Sequence, residues 1–346
     1  MATTLFIPPF ITAFGLTVVF TLFILVLPLL SKKRYRGRER RKKNRNISRF
    51  GGVAMLVAYL LSMLFDPHLV LTREMIGLSA GIGLVFAFGF WDDVQELSWK
   101  VQIFFQVALG VVIFLFGMRI ASITSPFGGA FTFPIEGFVI PSFLILLGWL
   151  FLVMNSMNWL DGMDGLSGGV ALITFVTIFF LSLKPEVNQP PIAILCAIGA
   201  GVTLGFLLFN VPPAKILAGT TGSMFLGFTI AVLAIIAGTK IATALLVLAL
   251  PIADALWVIV QRLRAHTSIF EPDQRHLHYR LSELGWSETR IAWFFSFVTA
   301  VIALIALSTE ALGKFVALLL VLLVIFSLLL FVERKTRIKY MLEHPS

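Results

Sequence analysis

Apolar runs close to twenty residues long recur from one end of this chain to the other, separated by short polar connections. A spanning helix needs about 20 mostly apolar residues, and in lipid every backbone polar group must find its partner inside the protein. About eleven segments approach that length: 5–30, 51–65, 74–91, 101–117, 139–157, 167–183, 191–209, 222–238, 241–260, 291–308 and 311–332. The segment 51–65 is short and calls for extension or tilt. Of the 346 residues 58% are hydrophobic and 13% charged, against about 25% charged in an ordinary soluble domain. The expectation is therefore an all-α, polytopic transmembrane helical bundle of about 11 spans, one membrane domain covering 1–346, with no soluble domain and no internal repeat. The single cysteine, Cys196, lies in an apolar run and allows no internal disulfide.

Charge sets the orientation. No Lys or Arg precedes the first segment, whereas eleven follow it between Lys32 and Arg49. The positive-inside rule then puts the N-terminus outside and this loop in the cytoplasm, and a cleaved signal peptide, whose leading region should be basic, is not expected. Alternation through eleven spans brings the C-terminus to the cytoplasmic side. Of the 27 Lys and Arg, 22 fall inside, and only Arg73, Arg119, Lys184, Lys240 and Lys314 fall outside. The basic run reads first as a topology signal that also attracts anionic membrane lipid, and no nucleic-acid partner is expected. Within it only Arg49, beside Gly51 and Gly52, is placed to border a site for an anion.

Four polar stretches land on that same side. In GFWDDVQELSWK (89–100), Asp92 and Asp93 end an apolar span. A carboxylate buried in the membrane costs roughly 2.5 to 3.5 kcal/mol and two neighbours repel, so the pair asks for a cation, a wet cavity or a proton-transfer role; the alternative is an exposed cap continuing into VQEL. In NSMNWLDGMDGLSGG (155–169), Asn155, Asn158, Asp161 and Asp164 recur every third residue, and Gly162, Gly165, Gly168 and Gly169 favour a helix end that runs into a tight loop. Amides and carboxylates gathered there suit oxygen-rich chemistry, a magnesium ion with substrate phosphates or the edges of a ribose or base; the plainer reading is a polar turn.

NVPPAKILAGTTGS (210–223) joins a Pro-Pro turn, Lys215 and the glycines 219 and 222 ahead of a helix. Backbone N–H groups at such a start can cradle phosphate, and structural punctuation is an equal reading. In RLRAHTSIFEPDQRHLHYRL (262–281), which follows Asp254 in the preceding span, Arg262, Arg264, Asp273, Arg275, His276, His278 and Arg280 crowd together. Histidine beside arginine with neither thiol nor HExxH suits an anion better than zinc, so phosphate clamping is weighed here against a solvated basic loop.

Taken in order, DD, NxxNxxDGxDG, N(x)4K with its Gly-rich turn, and HLHYRL resemble the polyprenyl-phosphate N-acetylhexosamine-1-phosphate transferases, glycosyltransferase family 4, over nearly the whole chain. The HLHYRL setting is more similar to the undecaprenyl-phosphate GlcNAc-1-phosphate transferase branch than to the muramyl-pentapeptide branch. The resemblance implies that polyprenyl phosphate attacks the sugar phosphate of a UDP-N-acetylhexosamine, giving a polyprenyl-diphospho-sugar and UMP, with magnesium required and manganese a substitute. It implies Asp92 and Asp93 at the lipid-phosphate nucleophile or its proton, Asn158 at the metal, Asp161, Asp164 and Asn210 near the nucleotide, and His276, His278 and Arg280 near the diphosphate. It also implies a multi-pass protein of the cell membrane with its site on the cytoplasmic face, which homodimers would suit, serving cell-wall biogenesis.

Two departures bear on competence. After KIL the family carries Gly-Asp, the Asp ligating magnesium, where this chain has Gly219 and Thr220; a hydroxyl can ligate magnesium but brings no charge. A basic residue expected shortly after LSxK is Gln102. A catalytically impaired family member, and a transporter or binder of phosphorylated lipid or solute, are the rival readings. Transporters place charged sites near the bilayer midplane between repeated halves, and neither feature is legible here.

Overall fold

The computed structural model describes residues 3–27, 47–134, 136–238, 241–268 and 274–343; the basic run up to Arg45, Lys240 and Asp273 lie outside them. In chain order the helices are α1 (Thr3–Val26), α2 (Gly51–Leu64), α3 (Arg73–Gln95), α4 (Trp99–Leu115), α5 (Ile140–Leu160), α6 (Leu166–Ser182), α7 (Pro190–Asn210), α8 (Gly219–Ile236), α9 (Ile241–Val247), α10 (Ala249–Arg264), α11 (Leu277–Glu283), α12 (Glu288–Ser308) and α13 (Ala311–Glu343). Between α4 and α5 a small antiparallel hairpin, β1 (Ser122–Thr124) with β2 (Ala130–Thr132), pairs Ile123 with Phe131. This hairpin is the one element among the described residues that an all-α reading leaves out.

Among the described residues seven helices, α1, α3, α5, α7, α8, α12 and α13, are long and apolar enough to cross a membrane. The protein is a multi-pass helical membrane protein. Within the described residues ten of the eleven apolar segments each coincide largely with one helix, residues 28–30 of the first lying outside them, and α2, α4 and α6 are short, at 14, 17 and 17 residues. The segment 241–260 differs from expectation: it is two helices, α9 and α10, bent by 75°. Pro251 explains the break, because its ring clashes with the carbonyl four residues back, at Val247 where α9 ends, and it has no N–H to continue the ladder. The last helix also runs on past 332 into the charged stretch ERKTRIKYMLE.

Helix α8 is the axis of the bundle. Every residue from Gly219 to Ile235 is buried, and α5, α3 and α2 pack around it. Small residues permit the close approach, as they do between membrane helices generally. A Cβ on Gly52 of α2 would stand 2.1 Å from the Gly222 nitrogen, and one on Gly89 of α3 would stand 2.5 Å from Thr221 Cα. Gly227 brings α8 onto α5 in the same way, since a Cβ there would stand 2.8 Å from Met154 Cα. These contacts fix the starts of α2 and α8 against the end of α3.

Candidate functional site

The first turn of α8 is where the polar stretches meet. The strand-like segment before α2 is bonded to the segment before α8: Leu217 N–H donates to the Ser48 carbonyl at 2.8 Å, and Gly51 and Gly52 N–H donate to Leu217 and Ala218 carbonyls, each at 3.0 Å. Arg49 is thereby brought to 3.8 Å from Asp93 Oδ1. Asp93, whose side chain is fully buried, accepts from Thr220 N–H (2.8 Å), Thr221 N–H (3.0 Å) and the Thr221 hydroxyl (2.7 Å). The helix start that could have cradled a phosphate therefore holds a carboxylate of the protein itself, as the helix dipole favours. Position 219 must be glycine: its φ is +69°, and a Cβ would meet the Arg49 carbonyl at 2.5 Å and both Asp93 oxygens at 2.6 Å.

Asp92, one residue earlier, turns elsewhere on the helix. Its Oδ2 accepts the Thr220 hydroxyl at 2.6 Å. Glu96, in the left-handed region at φ 48°, ends α3 and folds the chain back so that Leu97 N–H donates to Asp92 Oδ1 at 2.9 Å, with the Gln102 amide at 3.4 Å. Gln102, the residue that stands where a basic one was expected, is thus a hydrogen-bond neighbour of Asp92.

The amides and carboxylates of α5 and its loop divide among four tasks. Asn158 Oδ1 accepts the Ser223 hydroxyl of α8 at 2.7 Å, which joins it to the Asp92 and Thr220 group. Asp161 Oδ1 accepts the Ser167 hydroxyl at 2.6 Å across its own loop. Asp164 and Asn210 clasp two loops together: Asp164 Oδ2 accepts Ala214 N–H at 3.0 Å, while Asn210 accepts Gly165 N–H at 2.9 Å and donates to the Ile216 carbonyl at 2.8 Å. Asn155 faces the other way and exchanges hydrogen bonds with Gln106 of α4, at 2.8 and 3.2 Å.

The histidines arrive from α11. His276 Nδ1 lies 2.9 Å from Asp254 Oδ2, and Asp254 Oδ1 accepts Leu277 N–H at 2.8 Å, so one carboxylate of α10 orients the imidazole and caps the start of α11. The His276 ring is 5.9 Å from Trp159 and 5.7 Å from His278, nearly parallel to it, and His278 lies against Tyr279. A Cβ on Gly162 would meet His278 Nε2 at 2.5 Å and Tyr279 Oη at 2.6 Å, which measures how closely the DGMDG loop approaches α11. The buried Arg262 holds its guanidinium 5.9 Å over the Trp159 ring. Arg280 is engaged internally: it donates to the Arg275 carbonyl and to Gln261 Oε1, both at 2.8 Å, and Gln261 donates in turn to Glu333 of α13 at 2.7 Å.

Asp92, Thr220, Ser223, Asn158, Trp159 and His276 therefore follow one another as neighbours around a single end of the bundle. Beside them a cavity of about 320 Å³ opens between α4, α5 and α10, mostly apolar, with Trp99, Gln102, Gln106, Asn155, Trp159 and Leu256 in its wall. Sequence reasoning did not assign roles to Ser223, Asp254, Gln261 or Glu333. Asp254 carried a usable signal, since an ionisable residue inside an apolar span is costly and implies a partner; the others carried none.

The donor set is not one that holds a divalent metal by itself. Among the described residues no three of His, Cys, Asp and Glu converge to hold an ion. Asp92 and Asn158, the oxygens nearest the expected place, each already accept a hydroxyl, and Asp93 is taken up by the α8 start. Magnesium takes one or two carboxylates together with substrate phosphates, and with Asp93 committed to α8 and Thr220 neutral, Asp92 is the one carboxylate of this pair left to it, so without a bound phosphate these residues offer a resident cation little charge.

A family description, Glycosyl transferase family 4, matches residues 75–238, which take in three of the four polar stretches. The chain is 31% identical over 291 residues to the decaprenyl-phosphate N-acetylglucosaminephosphotransferase of Mycolicibacterium smegmatis, covering 75% of this chain and 71% of that protein. It is 28% identical over 304 residues to the probable undecaprenyl-phosphate N-acetylglucosaminyl 1-phosphate transferase of Bacillus subtilis, covering 85% and 81%. It is 29% identical over 283 residues to the phospho-N-acetylmuramoyl-pentapeptide-transferase of Clostridioides difficile, covering 74% and 81%. With the polar ends gathered as described and similarity extending over most of its length, the chain belongs to glycosyl transferase family 4.

Proposed function

We propose that this protein moves N-acetylhexosamine 1-phosphate, and GlcNAc 1-phosphate in particular, from a UDP-sugar to a polyprenyl phosphate, releasing UMP and starting a cell-envelope glycan at the cytoplasmic face of the cell membrane. Relatives whose names specify decaprenyl and undecaprenyl phosphate support the acceptor class. The observation that carries the reading is an adjacency: a mostly apolar cavity of about 320 Å³, suited to part of a prenyl chain, shares Gln102, Asn155 and Trp159 with the polar end of the bundle.

In this reaction an oxygen of the lipid phosphate bonds to the sugar-bearing phosphorus of the donor, the bond from that phosphorus to the bridging oxygen breaks, and UMP leaves with the electron pair. Phosphoryl transfer asks a protein mainly for alignment and charge compensation. Asp92, beside Gln102 at the cavity wall, is the group suited to take the proton of the incoming lipid phosphate, while Asp93 keeps α3 and α8 in register. The loop braced by Asp161, Asp164 and Asn210 forms the floor for the nucleotide, and His276, His278 and Arg262 meet the diphosphate. Were the magnesium that the family resemblance implies to bind with the substrate, Asn158 and Asp92 would be the protein oxygens to meet it, and it would supply charge compensation for the phosphates.

The test is transfer itself: purified protein, polyprenyl phosphate and radiolabelled UDP-GlcNAc, with UDP-N-acetylmuramoyl-pentapeptide as a competing donor, in magnesium and in EDTA. The reading expects label in the lipid fraction from UDP-GlcNAc. Label from the pentapeptide donor alone overturns the choice of sugar, and no lipid-linked label from any UDP-sugar overturns the transfer.

A further inference from the structure

The carboxylate pair at the end of α3 is built as a latch. Asp93 gives its two oxygens to three donors of the α8 start, and Arg49 offsets its charge from 3.8 Å. Asp92, 7% exposed, is bonded on Oδ2 by the Thr220 hydroxyl and on Oδ1 by Leu97 N–H. Asn158 is bonded by Ser223. Asp93 thus commits both oxygens to the α8 start, and with Thr220 neutral Asp92 is the one carboxylate of this pair left to attract a cation, its oxygens already shared with a hydroxyl and a backbone N–H. Positive charge stands at the same end of the bundle in another form: Arg262 is buried against Trp159, and the other edge of Trp159's surroundings is His276, itself oriented by Asp254.

From this arrangement we infer that the site takes its nucleoside diphosphate without a divalent cation held by the protein, the guanidinium of Arg262 and the imidazoles of His276 and His278 meeting the phosphate charge in its place. Thr220 is the specificity-determining residue in this respect. Its hydroxyl donates to Asp92, so the two side chains attract each other where a second carboxylate would repel Asp92 and both would need a cation between them. The inference rests on the transfer reading only for the identity of the ligand.

Two measurements on the purified full-length protein decide it. Manganese is titrated alone and free Mn²⁺ is followed by electron paramagnetic resonance; UDP is titrated calorimetrically in EDTA and in excess magnesium. The expected result is no stoichiometric Mn²⁺ uptake by the parent, and UDP affinity that changes less than about twofold between the two buffers, well under the tenfold step that corresponds to about 1.4 kcal/mol. Thr220→Asp, which sets a second carboxylate beside Asp92, is expected to take up Mn²⁺ and to bind UDP at least about tenfold more tightly with magnesium than without. Stoichiometric Mn²⁺ binding by the parent, or a tenfold gain in its UDP affinity on adding magnesium, overturns the inference even if the variant does not fold. Failure to bind UDP in either buffer overturns the ligand half and the transfer reading with it, whereas Mn²⁺ uptake with UDP bound in both buffers overturns the metal half alone.

Discussion

At the scale of single residues, the site depends on side chains that hold other side chains. Asp254 touches His276 through Nδ1 and also caps α11, so it sets both the direction and the tautomer of the ring that faces Trp159. Asp254→Asn keeps the size but can present an amide N–H to Nδ1. Removing a buried hydrogen-bond partner costs about 1–3 kcal/mol, so transfer by this variant is expected to slow about 10- to 100-fold, with kcat falling more than KM rises; unchanged steady-state kinetics would remove Asp254 from the account. Asp254 was legible as a carboxylate inside an apolar run. Its partner was not, because the hydrogen bond spans 22 residues and no spacing rule relates a helix interior to a loop beyond it. The same applies to Asp93, whose donors lie 127 and 128 positions away.

At the scale of helices, glycine contacts decide how closely the elements approach. Gly52 and Gly83 make a paired test. A Cβ at Gly52 would stand 2.1 Å from the Gly222 backbone nitrogen, whereas nothing lies within 4 Å of a Cβ at the exposed Gly83. Gly52→Ala is expected to destabilise by about 1–3 kcal/mol through overpacking. Gly83→Ala, in the interior of α3, is expected to stabilise by about 0.5–1 kcal/mol; detergent-phase thermal unfolding distinguishes the two, and equal shifts would contradict the packing described. Helix α13 supplies a second case, because its charged extension carries Glu333, which accepts from Gln261 and stands 3.9 Å from Arg280. Glu333→Ala is expected to cost no more than about 1 kcal/mol, since Glu333 is partly exposed to solvent, yet to lower transfer by loosening α11. An unchanged rate would make the brace purely structural. The apolar part of α13 was plain in the sequence, and its extension was not, because ERKTRIKYMLE ends the hydropathy signal without ending the helix. The break between α9 and α10 had its signal in Pro251.

At the scale of the whole molecule, periodic hydrophobicity located the helices because lipid admits little else, while the polar residues near their ends indicated a site without indicating how it is assembled. Which of them would face a ligand and which would fasten loops depended on packing around α8. Asp164 and Asn210 have the residue types of a binding site, yet they hydrogen-bond to backbone groups of neighbouring loops. The proposed orientation has its own test. Cys196 is buried, so in a Cys196→Ala background Lys215→Cys should react with an impermeant maleimide only in inverted vesicles and Glu310→Cys only in intact cells, both positions being exposed; the opposite pattern would invert the topology. The central claim, that these gathered ends transfer a sugar 1-phosphate to a lipid phosphate, is tested most directly by following phosphorus. With UDP-GlcNAc labelled in the sugar-bearing phosphate, the account predicts label in the prenyl lipid, unlabelled UMP in the aqueous phase, and loss of both in Asp92→Asn and His276→Ala. Label left in water as UDP, inorganic phosphate or free GlcNAc 1-phosphate, with none in the lipid, would contradict it.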